Sequence, residues 1–410
     1  MVGSLHAAAR LNGVIEPVIP RLGELMQRRP DALSLAQGMV GWEPPPGVIQ
    51  AVRQSLDAPG VALHRYGSTW GEPALLEVVA RQLHATNALQ LEGASLLVTT
   101  GSNMAFAAIA QVICDAGSEV ILPRPFYFNH AMAVQLAGGV VVPVDAGPIP
   151  DPAMLQAAIT PRTCAIVTIS PNNPSGVVIP QAVLSAINHL CAEQGLFHIS
   201  DEAYGLFVHG CVPHFSPGSL PGASAHTVSL YSLSKAYGMA GWRMGYGAVP
   251  QLLQSALAKV LDTVQISPSL LSQRAAQAAL STDLSWVKER VASLAPLRTQ
   301  LLAAVRGWQS QGWPVQLWAE PDGAFYGLLV VKGAMHPSGQ RLTSDGLMEW
   351  LVLEEGVATV SGSAFGLEIP GACVLRVSYG LLDTDQLAAA LARLGRGLGR
   401  VLLRPGGHQG

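Results

Sequence analysis

Charge is scarce in this chain: Lys and Arg number 24, Asp and Glu 27, and together they make up 12% of 410 residues. A globular domain ordinarily carries about twice that share. The formal net charge of −3 leaves no basic footprint for nucleic acid. Aromatic residues are also few, at 6%, so the core is chiefly aliphatic. The five cysteines (Cys114, Cys164, Cys191, Cys211 and Cys373) are scattered, odd in number and without a Cys-x-x-Cys pair. They read as reduced core residues, which excludes a disulfide framework. No apolar run reaches the roughly 20 residues that span a bilayer. Residues 1–20 carry charges and prolines where a signal peptide would carry an apolar core. The expectation is a cytoplasmic protein with small-molecule partners, without a nucleic-acid or membrane partner.

Apolar residues are abundant, at 49%. A length of 410 residues exceeds one ordinary core and implies two domains. Low charge with positive mean hydropathy points to apolar surface buried between subunits, and a homodimer is expected. Strand-like runs fall near 96–100, 119–123, 140–144, 164–170, 196–201, 227–232 and 245–249, with helical patterns between most of them. That alternation predicts an α/β fold with a mostly parallel seven-stranded sheet covered on both faces. A long helical stretch is expected over 284–306, and a frayed tail over 405–410. Gly395-x-Gly397-x-Gly399 lies in a helical pattern and not after a strand, so it is no dinucleotide loop. His209-x-Cys211-x-x-His214 lacks a second ligand pair at a recognised spacing, and no metal site is expected.

The chemistry concentrates in Ser232-Leu-Ser-Lys-Ala-Tyr-Gly-Met-Ala-Gly-Trp-Arg-Met-Gly245, just beyond an apolar strand. One lysine stands between two serines, with an arginine eight residues on. An amine attacks an aldehyde only when deprotonated, so a nearby cation and a dry pocket should depress the pKa of Lys235; Arg243 can supply that charge and also grip a phosphate. Pyridoxal phosphate joins an aldehyde to a phosphate. Asp201 ends another apolar run and is followed by Tyr204; a carboxylate there can keep a pyridine nitrogen protonated. Leu96 to Thr100 runs into Gly101-Ser-Asn103, where free N–H groups of a helix start face an anion, Ser102 being the natural cap. Arg376, in Leu375-Arg-Val-Ser-Tyr-Gly380, has apolar flanks that predict burial, and a buried guanidinium needs an anion.

These motifs, with Ser170-Pro-Asn-Asn-Pro-Ser-Gly176, Tyr66-Gly-Ser-Thr-Trp-Gly71 and Phe126-Tyr-Phe-Asn-His130, resemble in order those of the class I and II aminotransferases, from about Gly38 to Gly380. Two departures are visible: Ser170 replaces an asparagine, and Leu76-Glu77 stands where an arginine usually follows the leucine. The resemblance implies fold type I, pyridoxal phosphate on Lys235 as a Schiff base, and ping-pong transamination. It implies that Asp201 meets the ring nitrogen, that Asn173 and Tyr204 meet the phenolic oxygen, and that Tyr127 stacks on the ring. Gly101, Ser102, Asn103, Ser232, Ser234 and Arg243 would hold the phosphate, with Tyr66 crossing a dimer interface to reach it. Arg376 would bind the substrate carboxylate, with Gly38, Asn173, Trp42 and Phe365 beside it. The implied domains are a large cofactor domain over 47–290 and a smaller one from 1–46 and 291–410.

Leu35-Ala-Gln-Gly-Met-Val-Gly-Trp-Glu-Pro-Pro45 and Cys114-Asp-Ala-Gly117 look most like the aromatic and methionine aminotransferase subgroup. The segments expected to face substrate contain Trp42, Trp70, Phe126, His130 and Phe365 and no lysine or arginine, which favours an aromatic or thioether side chain over a dicarboxylate. The alternative is a lyase, cyclase or synthase on the same scaffold, a carbon-sulfur lyase for example, because the same residues generate the carbanion without deciding its fate.

Overall fold

The computed structural model describes residues 5–402; the tail at 405–410 lies outside the described residues. After β1 (Leu33–Ser34) come β2 (Ala94–Thr99), β3 (Glu119–Pro123), β4 (Val140–Val144), β5 (Thr163–Ile169), β6 (Phe197–Asp201), β7 (Thr227–Ser232) and β8 (Gly245–Pro250). The last seven form one sheet in the order β2-β8-β7-β6-β5-β3-β4. β8 runs antiparallel to both β2 and β7, and the other neighbours are parallel. The mostly parallel seven-stranded α/β sheet expected from the alternation is therefore present.

Side-chain alternation builds a core on each face of this sheet. Val120 and Leu122 of β3, with Ala165 and Val167 of β5, join a cluster containing Phe106, Ile109, Val134, Leu257 and Leu261. The intervening Ile121 and Ile166 join another, with Ile187, Leu190 and Cys191. Strands apolar on both faces need cover on both, which is why the runs read as nearly continuous hydrophobic stretches. β4, at the edge, is half-exposed and holds Pro143, whose missing N–H is tolerated there.

The C-terminal third adds β9 (Val315–Leu317), β10 (Tyr326–Lys332), β11 (Val357–Ala358), β12 (Val360–Ser361) and β13 (Ala372–Ser378). Four of them form an antiparallel sheet in the order β12-β13-β10-β9. β1 pairs in parallel with β11, so the N-terminal segment is stitched to this third. The single helix expected over 284–306 is instead two, Leu284–Ala292 and Ala295–Ser310. Pro296 cannot donate to the preceding turn, and it sits in the first turn of the second helix, where no donor is needed.

The topology sets out the site. β5 ends just before Ser170, β6 ends on Asp201, and β7 ends on Ser232, three residues short of Lys235. Crevices beyond the carboxyl ends of parallel strands are where open α/β sheets take ligands.

Candidate active site

Beyond those strand ends lies a pocket whose lining includes Gly38, Ser102, Asn103, Tyr127, Asn173, Asp201, Tyr204, Ser232, Ser234, Lys235 and Arg243. Lys235 Nζ donates to the Gly38 carbonyl at 2.7 Å. Desolvation pulls its pKa down to about 8, aided by Arg376 and opposed by Asp201; Arg243 contributes least. The depression expected from the sequence is there, and the dry pocket is its main cause as expected, but the leading cation is Arg376 and not Arg243. Arg243 is exposed to water, which screens it, whereas Arg376 is buried.

Asp201 is buried, and its Oδ2 lies 3.1 Å from His130 Nε2 while Oδ1 accepts from Ala203 N at 3.0 Å. His130 itself is 1% exposed and stacks on Phe106 with centroids 4.0 Å apart. This corrects the expectation that His130 faces substrate: it stands behind Asp201, on the buried face of the helix Phe128–Leu136. Phe126 is likewise packed away, against Gly366.

Tyr204 is buried, and burial raises its pKa well above the usual phenol value. Its hydroxyl lies 2.6 Å from that of Tyr326. Asn173 Oδ1 accepts from Arg376 Nη1 at 2.8 Å, which leaves the Asn173 amide N–H donors for the pocket. Arg376 is 3% exposed on the buried strand β13, and its Nη2 donates to the Ala36 carbonyl. Its Nε is buried without a partner among the described residues, an open donor on a cation. The fully buried Phe365 ring lies 5.2 Å from the Arg376 guanidinium. Tyr127 caps the helix Phe128–Leu136, accepts from Asn129 Nδ2 at 2.9 Å, and is raised in pKa by burial.

The anion end is built around Gly101, which is the residue that caps the helix Ser102–Ile113; Ser102, expected as the cap, is instead its first helical residue. Gly101 has φ 87, and a Cβ there would drive into the Arg243 guanidinium. Glycine alone meets both demands. Arg243 Nη1 donates to the Ala240 carbonyl at 2.9 Å and lies 3.4 Å from Ser234 Oγ, while Ser234 N donates to Ser232 Oγ at 3.2 Å.

Tyr66 and Trp42 also stand apart from this pocket. Tyr66 is 82% exposed. Trp42 donates its indole N–H to the Ala236 carbonyl at 3.2 Å and lines a separate cleft with Leu294, Leu297 and Leu382. Tyr326 was missed in the sequence; the signal available was Phe325-Tyr326 opening a strand-like run. The two histidines of the short His/Cys motif have protein partners: His209 meets the Ala324 carbonyl, and His214 meets Glu202 at 2.9 Å.

The residues present fit pyridoxal phosphate. A glycine cradle at a helix N-terminus beside an arginine suits the phosphate. A buried carboxylate suits a pyridinium, and a lysine of lowered pKa suits an aldehyde. The family described as aminotransferase class I and II matches residues 30–394. The chain is 32% identical to an aromatic aminotransferase of Arabidopsis thaliana over 96% of both proteins. It is 34% identical to an aspartate/prephenate aminotransferase of Thermus thermophilus over 92% of this chain and 94% of that one. Among solved structures, the aspartate aminotransferase of Thermus thermophilus with maleate superposes with a TM-score of 0.82 at 30% identity, covering 96% of this chain and 100% of that one.

Proposed function

The chain belongs to the class I and II aminotransferases, pyridoxal-phosphate enzymes of fold type I, and on that footing we propose that it passes the amino group of an aromatic or methionine-like L-amino acid to a 2-oxoacid in two half-reactions. The observation that carries the reading is the gathering of Lys235, Asp201, Asn173 and Tyr204 in one pocket, with the buried Arg376 bonded to Asn173. When bound, pyridoxal phosphate supplies a ring that accepts electrons from the amino acid's Cα. The chain's own residues do the rest.

Arg376, whose Nε has no partner among the described residues, binds the substrate carboxylate and so fixes the Cα–H bond relative to Lys235. An amine with a pKa of about 8 is neutral in an appreciable fraction near neutrality, so Lys235 Nζ can take the Cα proton and give it back. Asp201, fixed by His130, would hold the ring nitrogen. Asn173 and Tyr204 would donate to the phenolic oxygen, and Tyr127 would cover the ring face. Gly101, Ser102, Asn103, Ser232, Ser234 and Arg243 would hold the phosphate. In this reading the protein is a cytoplasmic homodimer in which Tyr66 reaches the partner subunit's phosphate site. Residues 47–290 form the cofactor domain, and 1–46 with 291–410 form the smaller one.

The side-chain preference rests on charge. Both basic residues lining the pocket, Lys235 and Arg243, have assigned work, and Met39 and Ile169 supply apolar lining. A distal carboxylate therefore lacks a third cation among those residues; Arg274 lies 4.0 Å from Glu72 instead. The relatives' names divide between aromatic and aspartate/prephenate substrates, and the lining favours an aromatic donor over aspartate. The test against a lyase is direct. An amino acid alone should bleach the bound cofactor's visible band, and a 2-oxoacid should restore it. Continuous oxoacid and ammonia release without an added 2-oxoacid would mean a lyase.

A further inference from the structure

Tyr326 opens β10 in the four-stranded sheet, yet its hydroxyl meets that of Tyr204, which lines the pocket built on the seven-stranded one. The side chain is fully buried. A Cβ placed on Gly38 would collide with the Tyr326 hydroxyl and come within 3.7 Å of Lys235 Nζ, so that hydroxyl is held between the Gly38 backbone and Tyr204. The Arg376 guanidinium lies 4.6 Å over the ring. The residues before Tyr326 are stitched across to the other sheet's loops, Gly323 N donating to the Gly176 carbonyl at 2.7 Å and Ala324 N to the Phe207 carbonyl at 2.9 Å. The ring is clamped on its face, at its hydroxyl and through its backbone.

A phenol has one proton to donate. If Tyr204 spends its own on the cofactor's phenolic oxygen, the 2.6 Å contact requires its oxygen to accept from Tyr326. The other charged or titratable groups facing this pair are Arg376 on β13, Tyr379 just beyond that strand, Tyr127 on the helix Phe128–Leu136, and Lys235 after β7. None of these is a carboxylate that would take the Tyr326 proton in the opposite direction. We infer that Tyr326 is a positioning residue: it donates to Tyr204 and thereby commits the single Tyr204 proton to the pocket. A chain of two hydroxyls is polarised in the direction of donation, which makes Tyr204 the stronger donor. The inference rests on the reading of Tyr204 given above.

The test is a pH titration of the bound cofactor's visible absorbance in four holoenzymes: wild type, Tyr326→Phe, Tyr204→Phe and the double variant. Phenylalanine at 326 keeps the ring under Arg376, so KM for the amino acid should stay within about twofold. Losing the donation weakens Tyr204's hold on the phenolate form, so the Tyr326→Phe midpoint should rise by roughly half a unit to one unit, the scale of one hydrogen bond. Tyr204→Phe should rise at least as far, and the double variant should match Tyr204→Phe alone. A Tyr326→Phe midpoint equal to wild type beside a shifted Tyr204→Phe would overturn the inference alone, as would additive shifts. An unshifted Tyr204→Phe would instead overturn the underlying reading of Tyr204, and the inference with it.

Discussion

At the scale of single residues, Lys235 gives the clearest dependence on pH. Burial disfavours its charged form, so the protonated amine is held at a cost below about pH 8, and that cost is relieved as pH rises from there toward the unfolded value of 10.5. Only the neutral amine attacks an aldehyde, so covalent capture of the cofactor by the apoenzyme should accelerate with a midpoint near 8. A midpoint near 10.5, followed by stopped-flow absorbance, would show that the amine is not desolvated. Lys235→Ala should lose capture altogether and at least about a thousandfold in turnover, since the nucleophile and the proton carrier are one group. Arg376→Ala should raise KM for every donor by at least about thirtyfold, the low end of what a buried charged contact contributes, and leave the cofactor band in place. Arg376→Lys should recover only part of the loss, because a lysine cannot present the fork. The candidate residues Lys235, Asp201 and Arg376 were legible because each sits in a motif of unusual spacing. Tyr326 was not, since one aromatic at a strand start looks like ordinary core, and His130 was noticed but given the wrong place, since its motif does not report which way the helix turns it. Only the fold reveals that their polar atoms meet Tyr204 and Asp201.

At the scale of elements, the seven strands of the large sheet were readable, while β1 and most of the short strands of the C-terminal third were not. β3, β4 and β7 fall where the apolar runs do: β3 and β7 are buried on both faces, which leaves no ambiguity of period, and β4, half-exposed at the edge, is still a run of four valines and a proline. What the sequence hid was local backbone detail. The break at Pro296 is set by one missing donor inside a continuous helical pattern, and the cap at Gly101 by a positive φ that no periodicity reports. The Gly101 cap carries a prediction. Gly101→Val adds a Cβ against Arg243 and strains φ, so cofactor affinity measured by reconstitution should fall by about tenfold or more. Gly13→Ala, where the same added atom meets nothing within 4 Å, should leave it unchanged. Equal affinities would remove Gly101 from the phosphate site.

At the scale of the whole molecule, Ile49, Leu56, Val61, Tyr66, Val264 and Ile266 are large apolar residues left exposed, in accord with the proposed dimer. If Tyr66 serves the partner subunit's phosphate site, mixing Tyr66→Phe and Arg243→Ala chains should place both lesions in one site of a heterodimer and leave the other intact. Activity no higher than either parent, with subunit exchange demonstrated, would place Tyr66 elsewhere. Substrate class is the least legible property at this scale, because it depends on which side chains line one pocket and not on any motif. It is also the central claim. The most direct measurement is the single-turnover rate of the first half-reaction for phenylalanine, tyrosine, tryptophan, methionine, aspartate and glutamate, expressed as kcat/KM. An aromatic donor or methionine should exceed aspartate and glutamate by about tenfold or more, because a buried distal carboxylate without a cation costs several kcal/mol. Aspartate or glutamate leading by tenfold would contradict the account.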